Sequence, residues 1–296
     1  MNTNYFSSDY LKSLKKMNEI KNVNYPKISI VMPSFNQDKF IERSILSVLN
    51  QNYPNYQLII IDGGSTDKTI DIIKKYEDKI FYWVSEKDSG QSDALNKGFA
   101  KCDGEIYGWL NSDDIYLPNA FYNVVNSLKK NTDKKIVFGD WLSLDVEDNV
   151  FDYNHAFNFN LNHFKYEGFH LNAQSLFWNK DVHSRFSGLD VILYNTMDYQ
   201  MIIEFGINEG ENSFMRIPFA LGGFRRYEGQ KTAGMDSNVI KEQKLICERY
   251  NYTDKYKFIG KIKRLIYRIR RTYWYTKRGG LSNLLYRIKK SYDVKN

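Results

Sequence analysis

Between residues 27 and 110, short apolar runs alternate with amphipathic segments, and this alternation restricts the fold more than any other feature of the chain. Residues 27–32 (KISIVM), 56–61 (YQLIII), 81–84 (FYWV) and 106–110 (IYGWL) are β-branched or aromatic runs with the length of buried strands. Between them, residues 38–50 place Ile41, Ile45, Val48 and Leu49 at helical spacing, and 69–76 and 93–100 read as the next helices. Strand–helix alternation of this kind predicts an α/β fold: a Rossmann-like, mostly parallel sheet with right-handed crossovers and flanking helices.

Each strand runs into a loop of small polar residues: 33–36 (PSFN), 62–67 (DGGSTD) and 111–114 (NSDD). In an open α/β sheet, ligands bind outside the C-terminal ends of the strands, so these loops are expected to line one cleft. Gly63 and Gly64 permit close backbone approach and positive φ, which suits a nucleotide and a tight βα turn equally. No Gly-Lys-Ser/Thr closes the loop, and it is not G-x-G-x-x-G, which weighs against a P-loop or a dinucleotide site. Asp113 and Asp114 follow the fourth strand, and Pro118 ends any further sheet interior. Two adjacent carboxylates cost free energy unless solvent or a cation relieves them. A hard divalent ion bridging them to a diphosphate does so. Taken alone, the pair fits a solvated turn capping a helix over 117–128 better than a metal site.

Composition narrows the class. At 296 residues, one large domain plus an appendage is expected. Cys102 and Cys247 give no disulfide framework, and His155, His163, His170 and His183 lack zinc-site spacing. The first residues carry no apolar core of a secretory signal, and no run reaches the length of a membrane span, so a cytoplasmic protein is expected. Of the net charge of +7, residues 241–296 carry +13 and residues 1–240 carry −6. That asymmetry assigns the C-terminal end a job of its own.

Five stretches in order carry a family resemblance: 33–37 (PSFNQ), 61–69 (IDGGSTDKT), 86–98 (EKDSGQSDALNKG), 104–114 (GEIYGWLNSDD) and 197–205 (MDYQMIIEF). Together they resemble glycosyltransferase family 2, of GT-A fold, across roughly residues 27–235. The resemblance implies an inverting, metal-dependent transferase of hexosyl or N-acetylhexosaminyl type. The donor it implies is a nucleoside-diphosphate sugar, a UDP-sugar first among them, and the acceptor a glycan or lipid-linked molecule of surface polysaccharide synthesis. It implies that Pro33, Ser34, Phe35, Asn36 and Asp62 hold the nucleobase and ribose, with Gly64 in the same donor loop. Asp93 and Asn96 stand where the family contacts the donor. Asp113 and Asp114 occupy the metal region for Mn²⁺ or Mg²⁺ on the diphosphate, Asp113 also serving the donor, and Asp198 stands at the position of the catalytic base. The chain departs from the family pattern at Asn111, Gly63 and Gln200, where relatives often carry acids, and at Tyr227, where they often carry His. The implied division is an N-terminal arm (1–26), a catalytic domain (27–235) with donor half 27–118 and acceptor half 119–235, and a basic tail (236–296).

Trp141, Tyr153, Phe164, Tyr166, Phe169, His170, Gln174 and Trp178 crowd the acceptor half, most of them as packing. In the segment 222–232, Arg225, Arg226 and Lys231 are candidates either for the diphosphate or for surface ion pairs. In the tail, Phe258, Ile259, Ile262, Leu265, Ile266, Ile269 and Tyr273 share one helical face, and Lys257, Lys261, Arg264, Arg268 and Arg271 the opposite one. Arg278-Gly279-Gly280 is expected to break that helix before a second turn of the same pattern built on Leu281, Leu284, Leu285 and Ile288. A basic amphipathic pair fits the inner membrane surface. The alternative is that its apolar face docks on the catalytic domain or on a second subunit of a homo-oligomer. No nucleic-acid motif accompanies the charge. Two other functions compete: a sugar-nucleotide pyrophosphorylase, whose Gly-rich Arg-containing loop is missing from 33–37, and a catalytically silent glycan-binding protein bound to the membrane, against which Asp113, Asp114 and Asp198 speak.

Overall fold

A computed structural model describes residues 25–168, 171–231 and 237–293, with 237 and 278–293 in backbone alone. The expected arm up to Asn24, and the candidates Phe169, His170 and Thr232, lie outside these residues.

The order of elements is β1 (Ile28–Ser34), α1 (Ile41–Leu49), β2 (Tyr56–Asp62), α2 (Thr69–Lys74), β3 (Tyr82–Ser85), α3 (Gln91–Phe99), β4 (Ile106–Trp109), β5 (Ile115–Tyr116) and α4 (Ala120–Lys130). There follow β6 (Ile136–Leu144), β7 (Val150–Asn154), α5 (Leu161–Glu167), β8 (Leu176–Asn179), α6 (Lys180–Ser184), α7 (Met197–Glu209), β9 (Phe214–Arg225), α8 (Ser237–Arg249) and α9 (Phe258–Asp293). All the strands join one nine-stranded sheet in the order β3-β2-β1-β4-β8-β6-β9-β5, with β7 beside β6.

The expected alternation forms the donor half. β3, β2, β1 and β4 are mutually parallel, with Ser34 level with Asp62 and Asp62 level with Ser85. That register sets the three strand ends at one edge. The strands read as continuous apolar runs because both faces are covered: Ile28, Ile30, Val31, Met32 and Leu58 to Ile60 are wholly buried, each large side chain contributing about 1.5–3 kcal/mol. β8 then pairs antiparallel with β4 and β6, while β6 runs parallel to β9, with shifts of register around Asp140. The β9 strand is what carries residues of the 222–231 segment back to the turn after β4, because Gly222 and Gly223 pair with β5.

α7 buries Met197, Tyr199, Met201, Ile202, Ile203 and Phe205. A helix apolar on every side belongs inside a core, so only its first turn reaches a cleft. The body does not stop at residue 235. Ile246, Cys247 and Tyr252 join the core around α7, and buried Lys255 donates from Nζ to the Tyr199 hydroxyl at 2.9 Å. The core therefore continues past the expected boundary at 235/236, because Ile246 and Cys247 of α8 pack into it while Glu242 and Lys255 add polar contacts to the body.

α9 corrects the tail in two further ways. Its helix continues through Gly279 and Gly280 to Asp293. Two glycines cost about 1 kcal/mol each relative to alanine, which long flanking runs of Leu, Arg and Lys offset. Its basic residues do not all face away from the body: Arg271 pairs with Glu167 at 2.6 Å, Lys263 with Asp254 at 2.7 Å, and Arg264 donates to the carbonyl of Tyr166. Tyr275 is buried and donates to the carbonyl of His155. The aliphatic face points outward instead, with Phe258 77%, Leu265 59% and Ile269 60% exposed. Docking of that face on the catalytic domain is thereby excluded.

Candidate active site

The first two strand-end loops are stitched together. The Asn36 amide donates to Ser65 Oγ at 2.7 Å, and the Thr66 amide donates to Asn36 Oδ1 at 2.9 Å. Asn36 has φ +50°, a left-handed turn that asparagine tolerates. Pro33 and Ser34 end β1 in the sheet, and Phe35 stands 58% exposed at the rim. Asp62 is wholly buried, and its carboxylate accepts from the Gly64 and Ser65 amides and from the hydroxyls of Ser65 and Ser85. It thus holds the loop in which Gly64 takes φ +83°, rather than presenting a free acceptor. A side chain at Gly63 would lie 2.7 Å from Asp88 Oδ2, so that glycine admits the 86–90 loop.

α3 divides its candidates. Asp93 accepts from the Ser89 amide and pairs with Lys97 at 3.3 Å, at the surface. Asn96 spends its whole amide on one residue, donating to the carbonyl of Leu189 at 2.8 Å and accepting from its amide at 2.9 Å. It straps the 188–196 segment to the donor half.

The two metal candidates are also separated. Asp114 is wholly buried, accepting from the Arg225 amide at 3.1 Å and from Asn111 at 3.4 Å. Asp113 is only half-buried, and its Oδ2 accepts from the Tyr227 hydroxyl at 2.9 Å. Burial raises the pKa of Asp113, and raises that of Asp114 well above its ordinary value, the charge of Asp113 adding to the second shift. Arg225 is neither a diphosphate ligand nor a surface residue. Fully buried, it grips Asp148 and donates to the carbonyl of Asp113 at 2.7 Å, fixing the turn.

Across the cleft, Asp198 opens α7, half-buried, and accepts from the Tyr199 amide at 2.8 Å. Burial raises its pKa to about 7, with the Tyr199 amide and the Lys231 charge pulling the other way and Glu242 adding to the rise. Lys231 joins the two sides. Its ammonium donates to Gln91 Oε1 at 2.8 Å and lies 4.1 Å from the centre of the Tyr194 ring. Burial lowers its pKa to about 8, against the opposing pull of Asp198, Glu242 and Asp113. Gln91 in turn donates to Asn111 Oδ1 at 2.8 Å. Gln91 and Glu242 carried no role in the sequence reading. Gln91 lies inside a recognised motif, but Glu242 lies in none, and only the fold brings it to the site.

A parallel-sheet edge with a carboxylate pair after β4 and a half-buried carboxylate at the start of α7 fits a glycosyltransferase. The model of glycosyl transferase family 2 matches residues 29–187, and the chain belongs to that family. Among its relatives, an uncharacterized glycosyltransferase of Rickettsia typhi is 37% identical over 117 residues, 40% of this chain and 36% of that protein. The putative teichuronic acid biosynthesis glycosyltransferase TuaG of Bacillus subtilis is 38% identical over 92 residues, 30% of this chain. The match spans 36% of the length of each of these two relatives. Staphylococcus aureus TarS (residues 1–349), solved with UDP-GlcNAc, superposes with TM-score 0.64 at 15% identity, covering 86% of this chain and 75% of TarS. The mannosyltransferase PcManGT of Pyrobaculum calidifontis, solved with GDP-Man and Mn²⁺, gives TM-score 0.58 at 12% identity, covering 97% of this chain and 87% of that one. At such identities the two structures establish the GT-A fold and nothing finer.

The donor set fits a hard divalent ion in one specific sense. Among the described residues no three Asp, Glu, His or Cys side chains cluster to enclose a metal. Two oxygen-donor side chains with burial-raised pKa values are what a cation shared with substrate phosphates and water relieves. Asp113 is the one with access to the cleft.

Proposed function

We propose that the chain is an inverting, metal-dependent glycosyltransferase. It moves a sugar from a nucleoside-diphosphate donor, a UDP-sugar first among candidates, to a glycan or lipid-linked acceptor in surface polysaccharide synthesis. The observation that carries this reading is the position of Lys231, whose half-buried ammonium donates to Gln91 Oε1 at 2.8 Å beside the turn after β4 and bears electrostatically on both Asp113 and Asp198. Lys231 thus links the donor-side carboxylate to the base candidate. The UDP-GlcNAc of the TarS structure and the GDP-Man and Mn²⁺ of the PcManGT structure support the donor and ion classes.

Asp113 would hold Mn²⁺ or Mg²⁺, with Asp114 and Arg225 fixing its turn. When bound, the ion stabilises the charge that develops on the departing diphosphate. Asp198 takes the proton of the acceptor hydroxyl as that oxygen bonds to the anomeric carbon. The bond from that carbon to the diphosphate oxygen breaks on the opposite side, inverting the centre in one displacement. A carboxylate with a pKa near the working pH is suited to that transfer. Lys231, held by Gln91, is placed to meet the negative charge of the departing diphosphate.

The exposed face of α9 supports a membrane-surface partner at the inner leaflet. Its aliphatic stripe is flanked by exposed Lys257, Lys261, Arg268, Arg270 and Lys277, with no acidic residue between 257 and 277. Among the described residues no helix is long and apolar enough to cross a membrane.

The test is a panel of nucleotide sugars screened by thermal shift with and without Mn²⁺. One donor is expected to stabilise the chain only with the ion, and to be consumed when acceptor is added. Stabilisation by every donor equally in EDTA contradicts the reading.

A further inference from the structure

The base candidate sits at the start of α7, and the residue that fixes that start comes from outside the family match. Glu242 of α8 accepts four hydrogen bonds from the turn leading into α7. Its Oε1 takes the Tyr194 amide at 3.1 Å, and its Oε2 takes the Asn195 amide at 2.9 Å, the Thr196 amide at 3.0 Å and the Thr196 hydroxyl at 2.9 Å. The helix N-terminus has four amides without partners of their own, and no side chain of Thr196 caps them. A carboxylate gathered on three consecutive amides just ahead of α7 fixes where its first turn begins. Glu242 is only 7% exposed, so its carboxylate is committed to this turn and not to solvent.

We propose that Glu242 is the positioning residue for Asp198, fixing the turn from which that carboxylate is presented to the cleft. The same turn is held at other points. Arg249 of α8 pairs with Asp190, Ser92 donates to the carbonyl of Leu193 at 3.2 Å, and Gln200 accepts from the Asp190 amide at 3.0 Å. Glu242 differs from these straps because its charge also reaches the base. The charged groups bearing on Asp198 are Lys231, which favours its anion, and Glu242, which opposes it. One side chain, 44 positions along the sequence and on another helix, therefore holds the turn and adds to the rise in basicity that burial of the carboxylate produces.

The proposal rests on the reading of Asp198 as the base, but its test does not depend on turnover. The full chain, labelled with ¹³C at the aspartate carboxyl carbons, is titrated by NMR, Asp198→Asn identifying the resonance. Amide hydrogen exchange is followed over 194–199. Wild type is expected to titrate near pH 7. Glu242→Gln is expected to lower that midpoint measurably, since the opposing charge is gone. It should also speed exchange at 194–196 at least tenfold. Glu242→Asp keeps the charge and shortens the reach, so the midpoint should stay while exchange rises, and it serves if the amide variant fails to fold. Arg249→Ala loosens the same loop and should leave the midpoint in place. Unchanged exchange in both Glu242 variants overturns the proposal, and so does an Asp198 midpoint that does not move in Glu242→Gln or that moves as far in Arg249→Ala. Asp198→Asn with wild-type turnover would remove the base reading, whatever the Glu242 variants show.

Discussion

Asp198 costs the fold stability when it is ionised. Its folded pKa, about 7, stands above the ordinary carboxyl value of 3.8. Folding therefore takes up a proton between those two values, and the cost of the buried anion accumulates as pH rises through that window and is complete above it. Asp198→Asn is expected to melt above wild type at pH 8, on the order of 2–5 °C, with the gap closing towards pH 4. A calorimetric melt across pH checks this, and a gap of the opposite sign would place the charge in a stabilising ion pair instead. Asp113 and Asp114 should also part company. Asp113→Ala is expected to keep the wild-type melting temperature and lose Mn²⁺-dependent donor binding. Asp114→Ala, which strips a buried acceptor from the Arg225 amide, should lose about 1–3 kcal/mol of stability. Equal melting temperatures for the two variants would contradict their separation.

At the scale of elements, the donor half was legible because parallel strands covered on both faces must be unbroken apolar runs. The boundaries read from 27–32, 56–61 and 106–110 fall within a residue or two of β1, β2 and β4. β6 and β9 were not legible, since their pairing joins residues about 80 positions apart and β9 mixes Pro218, Gly222 and Gly223 into its run. α8 escaped notice for a different reason. Ile240 and Leu245 are exposed, so its apolar face is narrow, and Glu242 and Arg249 add polar contacts to the buried Ile246 and Cys247. A chain cut at residue 240 would lose Ile246, Tyr252 and Lys255 from the core, and is expected to melt well below the full chain in a calorimetric scan. In α9 the apolar stripe was readable, but its outward orientation was not. Changing the exposed Lys257, Lys261, Arg270 and Lys277 to Glu should leave the melting temperature unchanged and abolish co-sedimentation with phosphatidylserine vesicles. Undiminished sedimentation would rule out the anionic membrane surface as the partner of that face. High salt should weaken wild-type binding, because the attraction acts within a Debye length of about 8 Å.

For the whole molecule, the motifs named the donor loops and the base, while the fold redistributed their roles. Asp62, Asn96 and Asp114 each hydrogen-bond to the chain itself and so brace the loops around the cleft. Asp113, Asp198 and Lys231 are left facing the space between the halves, with the β9 segment and α8 closing it from the C-terminal side. The central claim is that donor binding and base catalysis reside in different halves of this cleft. Asp198→Asn tests it most directly, with donor affinity and transfer rate measured on the same preparation, using the nucleotide sugar and acceptor selected by the screen. Donor affinity is predicted to stay within about twofold of wild type, while transfer falls roughly 10²–10⁴-fold. Loss of donor affinity in step with transfer, or transfer at the wild-type rate, would contradict it.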